Sequence, residues 1–190
     1  DTSRPIFTGI YMDYSKEKLT ITSTDGFRLS EKSIKIKGDI NDFKVVIPAK
    51  TLMEVAKIFS TSSEPIEFAL NQDENLCLFK AEDTLIATRV LDGDYPDYKK
   101  IIPTEHIVKA NFSTLEFTEA VRLTDIFAKE GNSIIKIRFD PEGKIKITSL
   151  SEETGQHESN LNGEVEGELV EIAFNSKYLL DFLGNVKSEN

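Results

Sequence analysis

YMDYSKEKLTITS, residues 11–23, returns one residue shorter as RFDPEGKIKITS at residues 138–149. In both stretches apolar residues alternate with polar ones around a turn. Ile10 and Met12 precede the first turn, and Leu19 and Ile21 follow it. Ile135, Ile137 and Phe139 precede the second, and Ile145 and Ile147 follow it. A period of two marks a strand buried on one face, so each stretch predicts an antiparallel hairpin. The turns fall near Ser15-Lys16-Glu17 and at Asp140-Pro141-Glu142-Gly143, with the second expected to be one residue shorter. Farther on, IPAKTLMEV (47–55) matches FNSKYLLDF (174–182). Met12 and Phe139 stand as far apart as Lys50 and Lys177, and Lys18 and Lys144 are one residue closer. A near-constant offset over two separated blocks predicts two homologous domains, each opening with a hairpin and followed by a helix.

The remaining chain fits that plan. Leu52, Val55, Ala56 and Phe59 share one face of a helix from Ala49 to about Phe59, entered through Pro48. Short strands are predicted at 66–70, 75–80 and 84–91, and another at 106–112. LDGDYPDYKKIIP (91–103) is rich in turn residues and reads as an ordered connector. STLEFTEAVRLTDIFAKEG (113–131) opens with the capping box Ser113 and Glu116, carries Leu115, Ala120, Val121, Leu123 and Phe127 on its apolar face, and is expected to stop at Gly131.

A chain of 190 residues suffices for one medium domain or two small ones with a core of their own. Its single cysteine, Cys77, excludes an internal disulfide and points to a reducing cytosol. No apolar run approaches the roughly 20 residues of a membrane span, and no signal-peptide pattern opens the chain. The first residue is Asp1 rather than Met, and the second repeat has no counterpart of 66–103, so a piece of a longer protein is expected. With 33 acidic against 23 basic residues the net charge is -10, the acidic excess being larger in the second half. That excludes a protein coated in basic residues for DNA, although local basic faces remain open.

STDGFRLSEKSI (23–34) poses the sharpest local question. A two-residue turn at Asp25-Gly26 would pair Thr24 with Phe27, Thr22 with Leu29 and Thr20 with Glu31. Phe27 and Leu29 would then lie with the threonines, opposite a core face of Leu19, Ile21, Ile34 and Ile36. A bulge or longer turn would instead return them to the core, and Ser30 and Lys32 on the proposed core face speak for that alternative. The residues alone leave both placements open. An apolar pair left outside beside Arg28 would mark a partner site.

Catalytic chemistry finds no support. His106 and His157 stand outside any metal-binding pattern, and no nucleophile elbow, P-loop or dinucleotide fingerprint occurs. Asp92, Asp94 and Asp97 lack the later Gly and Glu of a calcium loop and are better read as turn residues. Glu164, Glu166, Glu168 and Glu171 read as a solvated strand face. Neither an enzyme, a metal nor a cofactor is expected.

TSRPIFTGI, STDGFRLS, VVIPAKTLMEV and LDGDYPDYKKIIP, in this order and spacing, resemble the middle domain of the bacterial DNA polymerase III beta subunit family, the sliding clamps. Residues 105–190, with IAFNSKYLLDFLGNV, resemble the first part of that family's third domain. The resemblance covers essentially the whole chain. It implies an α+β clamp fold of repeated domains, with antiparallel sheets outside and helices on the inner face. Residues 1–104 would be the middle domain without its first helix, and 105–190 a truncated third domain. It further implies a non-catalytic processivity factor of the bacterial cytoplasm, a homodimer ring encircling duplex DNA without regard to sequence. Such a ring tethers the DNA polymerase III alpha subunit, the clamp loader and repair polymerases through short peptides, with no membrane involved.

The family's peptide groove falls on Phe7, Thr24, Gly26, Phe27, Arg28, Leu29, Pro96 and Ile101, with Phe27 where the family more usually has histidine. Its other wall comes from final strands of the third domain that this chain is expected to lack. Arg4 and Lys50 match positions facing DNA, and Lys57, Arg122, Lys129 and Lys177 follow from their helices. Glu54 partly offsets Lys50 and Lys57, while Glu116, Glu119 and Asp125 outnumber Arg122 and Lys129, which suits loose sliding. The competing expectation is a free-standing tandem-domain peptide-binding module without a DNA role.

Overall fold

The structure, a computed structural model, describes residues 4–38, 40–71, 73–129, 132–151 and 155–190, with backbone alone at 150, 151, 155 and 156. The chain divides into two units, Asp1–Lys99 and Lys100–Asn190.

In the first unit a short 3-10 turn at Pro5–Thr8 leads into β1 (Gly9–Ser15), β2 (Lys18–Thr24), β3 (Leu29–Lys35) and β4 (Phe43–Pro48), which form an antiparallel sheet in the order β3-β2-β1-β4. Helix α1 (Ala49–Ile58) follows directly. A second sheet is made of β5 (Glu67–Asn71), β6 (Leu76–Ala81) and β7 (Thr84–Arg89). Met12, Tyr14, Leu19, Val45 and Ile47 of the first sheet meet Val55 and Phe59 from the helical segment and Cys77, Phe79 and Ala81 of the second sheet in one core. Ala56, expected on the inner face of α1, is exposed.

The second unit begins with β8 (Val108–Asn111) and α2 (Thr114–Ala128), and continues through β9 (Ile134–Asp140), β10 (Lys144–Ser151), β11 (Gly155–Asn162), β12 (Glu164–Gly167), β13 (Val170–Asn175) and α3 (Ser176–Leu183). Its main sheet runs β11-β10-β9-β13, the same order as β3-β2-β1-β4, and β12 pairs with β8. Ile135, Ile137, Ile145 and Ile147 are all at most 1 % exposed and pack under Phe117, Ala120, Val121 and Ala128 of α2. The internal repeat is therefore a repeat of topology.

Its register corrects two details of the sequence reading. The first turn holds only Lys16 and Glu17, because Ser15 already pairs with Lys18. The second holds Pro141, Glu142 and Gly143 between Asp140 and Lys144 and is the longer one. Met12 lies opposite Ile21, and Ile137 opposite Ile147, so Ile137 rather than Phe139 is the counterpart of Met12. A slip of two residues keeps every side chain on its face, so the apolar pattern alone does not detect it.

Helix α2 also differs from its expected face. Ser113 caps it, accepting the Glu116 N–H at 3.3 Å. Phe117, Ala120, Val121, Thr124, Asp125 and Ala128 are buried, whereas Leu115 and Leu123 are 68 % and 52 % exposed. The helix ends at Ala128, and the expected stop at Gly131 lies outside the described residues.

Candidate functional site

The hairpin between β2 and β3 settles the question of Phe27 and Leu29. Thr24 pairs with Leu29, Thr22 with Glu31 and Leu19 with Ile34, so the loop is Asp25–Arg28 rather than the two-residue turn of the sequence reading. Lengthening by two residues keeps the parity, and Leu29 remains on the threonine face. Phe27 falls within the loop itself and is 82 % exposed. Ser30 and Lys32 do face the core side, but β3 is the edge strand and overhangs the core, which also leaves Ile34 exposed.

The loop is held by its own polar groups. Asp25 Oδ1 accepts the N–H of Phe27 and of Arg28, each at 3.0 Å, and Asp25 Oδ2 accepts Arg28 Nε at 2.9 Å. Thr24 Oγ1 donates to the Arg28 carbonyl at 2.7 Å and accepts the Gly26 N–H at 3.1 Å. Gly26 has φ +91°, the left-handed region a side chain resists, and a Cβ there would come within 3.0 Å of Arg4 Nη2. Burial would raise the Asp25 carboxyl, but the two backbone N–H groups and the Arg28 guanidinium outweigh it and hold it below its ordinary value.

Beside this loop runs an aromatic row. The Arg4 guanidinium lies 4.4 Å from the centre of the Phe7 ring. Phe7 meets Tyr95 edge-on at 6.2 Å, and Tyr95 stacks on Tyr11 at 4.8 Å with the rings 7° from parallel. The connector is thereby fastened to the outer face of the first sheet, where Tyr98 is 4 % exposed and donates to Glu31 Oε2 at 2.6 Å. This cover explains why Thr22, on the face opposite the core, is fully buried. Burial, then the Asp13 charge and its hydrogen bond, push Tyr11 up to about 12, and burial likewise raises Tyr95 and Tyr98, so all three phenols keep their protons.

Of the groove residues expected from the sequence, Phe7, Thr24, Gly26, Phe27, Arg28, Leu29 and Pro96 belong to the first unit. Arg4, expected to face DNA, stands with Phe7 and Gly26. Ile101 belongs to the second unit and is 72 % exposed. The sequence reading missed Tyr11, Tyr95 and Tyr98. Tyr11 alternates with Met12 and so had to lie off the core face, but only the fold shows what covers it.

The basic helix residues are all exposed. Lys50 and Lys57 share the outer side of α1 with Met53 and Glu54. Arg122 stands on α2 beside the exposed Leu115, Leu123 and Ile126. Lys129 caps α2 and lies 3.5 Å from Asp125. Lys177 opens α3, its backbone N–H donating to Asn175 Oδ1 at 3.0 Å. Helices α2 and α3 pack against one another. Among the described residues no three His, Cys, Asp or Glu side chains cluster so as to hold a metal, and no helix is long and apolar enough to cross a membrane. Burial pushes the Cys77 thiol up to about 11, which leaves it unreactive.

Comparison with known proteins agrees along the whole length. Residues 1–97 match the family described as DNA polymerase III beta subunit, central domain, and residues 99–190 match DNA polymerase III beta subunit, C-terminal domain. The beta sliding clamp of Bacillus subtilis (strain 168) is 34 % identical over 184 residues, covering 95 % of this chain and 48 % of that protein. The beta sliding clamp of a Staphylococcus epidermidis strain is 32 % identical over 191 residues, covering 98 % of this chain and 49 % of that protein. The crystal structure of the DNA polymerase III beta chain from Streptococcus pneumoniae superposes with a TM-score of 0.93 at 30 % identity, over 100 % of this chain and 50 % of that one. The sliding clamp of Bacillus subtilis gives 0.92 at 34 %, over 100 % and 50 %. The chain thus spans about half the length of the relatives it matches. Two family matches in tandem, over a repeated α+β fold with antiparallel sheets, place this chain in the bacterial DNA polymerase III beta subunit family, the beta sliding clamps.

Proposed function

We propose that the chain serves in a replication sliding clamp and carries one wall of its partner-peptide groove. In this reading residues 1–104 are the clamp's middle domain and 105–190 the first part of its third. The protein is a non-catalytic homodimeric ring of the bacterial cytoplasm that encircles duplex DNA. It tethers the DNA polymerase III alpha subunit, the clamp loader and repair polymerases through short hydrophobic peptides. Lys50, Lys57, Arg122, Lys129 and Lys177 face the DNA, too few and too offset by acids for tight binding. Arg4, beside Phe7, borders the groove.

The observation that carries the proposal is the Asp25–Arg28 loop. Its own hydrogen bonds brace it, yet it holds Phe27 82 % exposed next to the half-buried Leu29 and Phe7. Rigid presentation of an apolar side chain costs solvation in the free protein, and a partner that buries it recovers that cost. The test is fluorescence anisotropy with a labelled hydrophobic clamp-binding peptide. Phe27→Ala and Leu29→Ala each remove apolar area worth on the order of 1–3 kcal/mol when buried, and weaken binding accordingly. Unchanged affinity in both variants would rule the placement out.

A further inference from the structure

The proposed groove wall in the first unit is drawn from stretches far apart in sequence: Phe7, the hairpin from Thr24 to Leu29, and Pro96 of the connector. One side-chain hydrogen bond joins the last two. Leu29 and Glu31 stand two residues apart on β3, opposite Thr24 and Thr22, so both side chains lie on the outer face of the sheet. Glu31 is exposed, and its Oε2 accepts the hydroxyl of Tyr98 at 2.6 Å, the short distance of a hydroxyl bonded to a carboxylate. The Tyr98 N–H in turn donates to the Pro96 carbonyl at 2.7 Å. Leu29 is thereby connected to Pro96 through short lengths of backbone and a single side-chain bond.

The same tyrosine braces Phe7. Its ring lies 6.4 Å from that of Tyr95 at 80°, and Tyr95 meets Phe7 edge-on at 6.2 Å while stacking on Tyr11. Edge-to-face pairs depend on ring orientation, so a change in the angle of Tyr98 passes along the row. The Tyr98 ring is 4 % exposed, and a buried phenol needs a partner for its hydroxyl. The strand itself does not call for an acid at this position. β3 is an edge strand, and at an exposed position such as Glu31 any polar residue would serve it.

We infer that Glu31 and Tyr98 are a positioning pair for the partner peptide. They act by holding Pro96 and Phe7 in place beside Leu29 rather than by contacting the peptide. A wall already in place spares the complex the cost of ordering it, so the pair acts on affinity. The inference rests on the groove reading of these residues.

The experiment measures binding of the labelled hydrophobic clamp-binding peptide to the 190-residue chain by anisotropy, with the urea midpoint of each variant alongside. Tyr98→Phe keeps the ring, removes the hydroxyl and weakens binding about three- to tenfold. Glu31→Ala does the same, and Glu31→Ala/Tyr98→Phe binds no more weakly than either single change, because both break one bond. Glu31→Gln keeps an acceptor oxygen without the charge and binds within about twofold of the parent. A role in stability alone would lower the urea midpoint and leave the affinity of the folded chain unchanged. Tyr98→Phe binding like the parent overturns the inference, as does Glu31→Gln falling as far as Glu31→Ala, which would assign the effect to charge. If either occurs while Phe27→Ala and Leu29→Ala still weaken binding, the groove reading stands without the pair. A parent that does not bind, or Phe27→Ala and Leu29→Ala both binding like it, overturns the groove reading and this inference with it.

Discussion

Asp25 shows how one side chain sets the shape of the proposed groove wall. It takes three hydrogen bonds from its own loop, and the loop in turn fixes where Phe27 points. Because the folded carboxyl titrates below its ordinary value of 3.8, its contribution to loop order is complete above that pH and is lost as pH falls through the folded value. The amide signals of Phe27 and Arg28 in an NMR titration should therefore shift together with a midpoint below 3.8, and Asp25→Ala should abolish that step. A midpoint at or above the ordinary carboxylate value would show that the loop is not organised this way. The parity of Leu29 was legible in the sequence, since alternation survives a change of two residues in loop length. The loop length was not, because Asp-Gly serves a two-residue turn and the start of a longer one equally well.

Among the elements, the β1–β2 and β9–β10 hairpins and α1 were readable from apolar period, and α3 from the match of its segment to that of α1. What joins the helices was not. Asp125 on α2 is 5 % exposed and accepts the hydroxyl of the fully buried Ser176 at the start of α3. The Ser176 N–H also donates to the Ser133 carbonyl at 2.8 Å, tying α3 to the segment before β9. Polar residues with partners in distant elements carry no periodic signal, and Asp125 reads in sequence as one more acid on a helix. A buried carboxylate that loses its donor keeps the cost of burial, so Ser176→Ala should destabilise the second unit by about 1–3 kcal/mol. In urea denaturation the Asp125→Ala/Ser176→Ala pair should cost less than its two single changes combined. Additivity would mean that the two side chains do not act as a pair. The face of α2 was misread for a related reason: Leu115 and Leu123 are as apolar as the residues that pack, but the sheet meets the helix along Phe117, Val121, Thr124 and Ala128.

Across the whole molecule, a topology used twice builds two units with separate cores, and the proposed groove sits on what the repeats do not share. The Asp25–Arg28 loop and the connector tyrosines Tyr95 and Tyr98 belong to the first unit. Two of the motifs that made the family legible, STDGFRLS and LDGDYPDYKKIIP, lie in these segments, where turn geometry constrains the residues more tightly than a core does. The most direct test of the central claim is amide chemical-shift mapping of the 190-residue chain with a hydrophobic clamp-binding peptide. Perturbations should concentrate at Thr24–Leu29, Phe7 and the Tyr95-Pro96 segment. Shifts that are absent there, or that gather instead on α3, would contradict it.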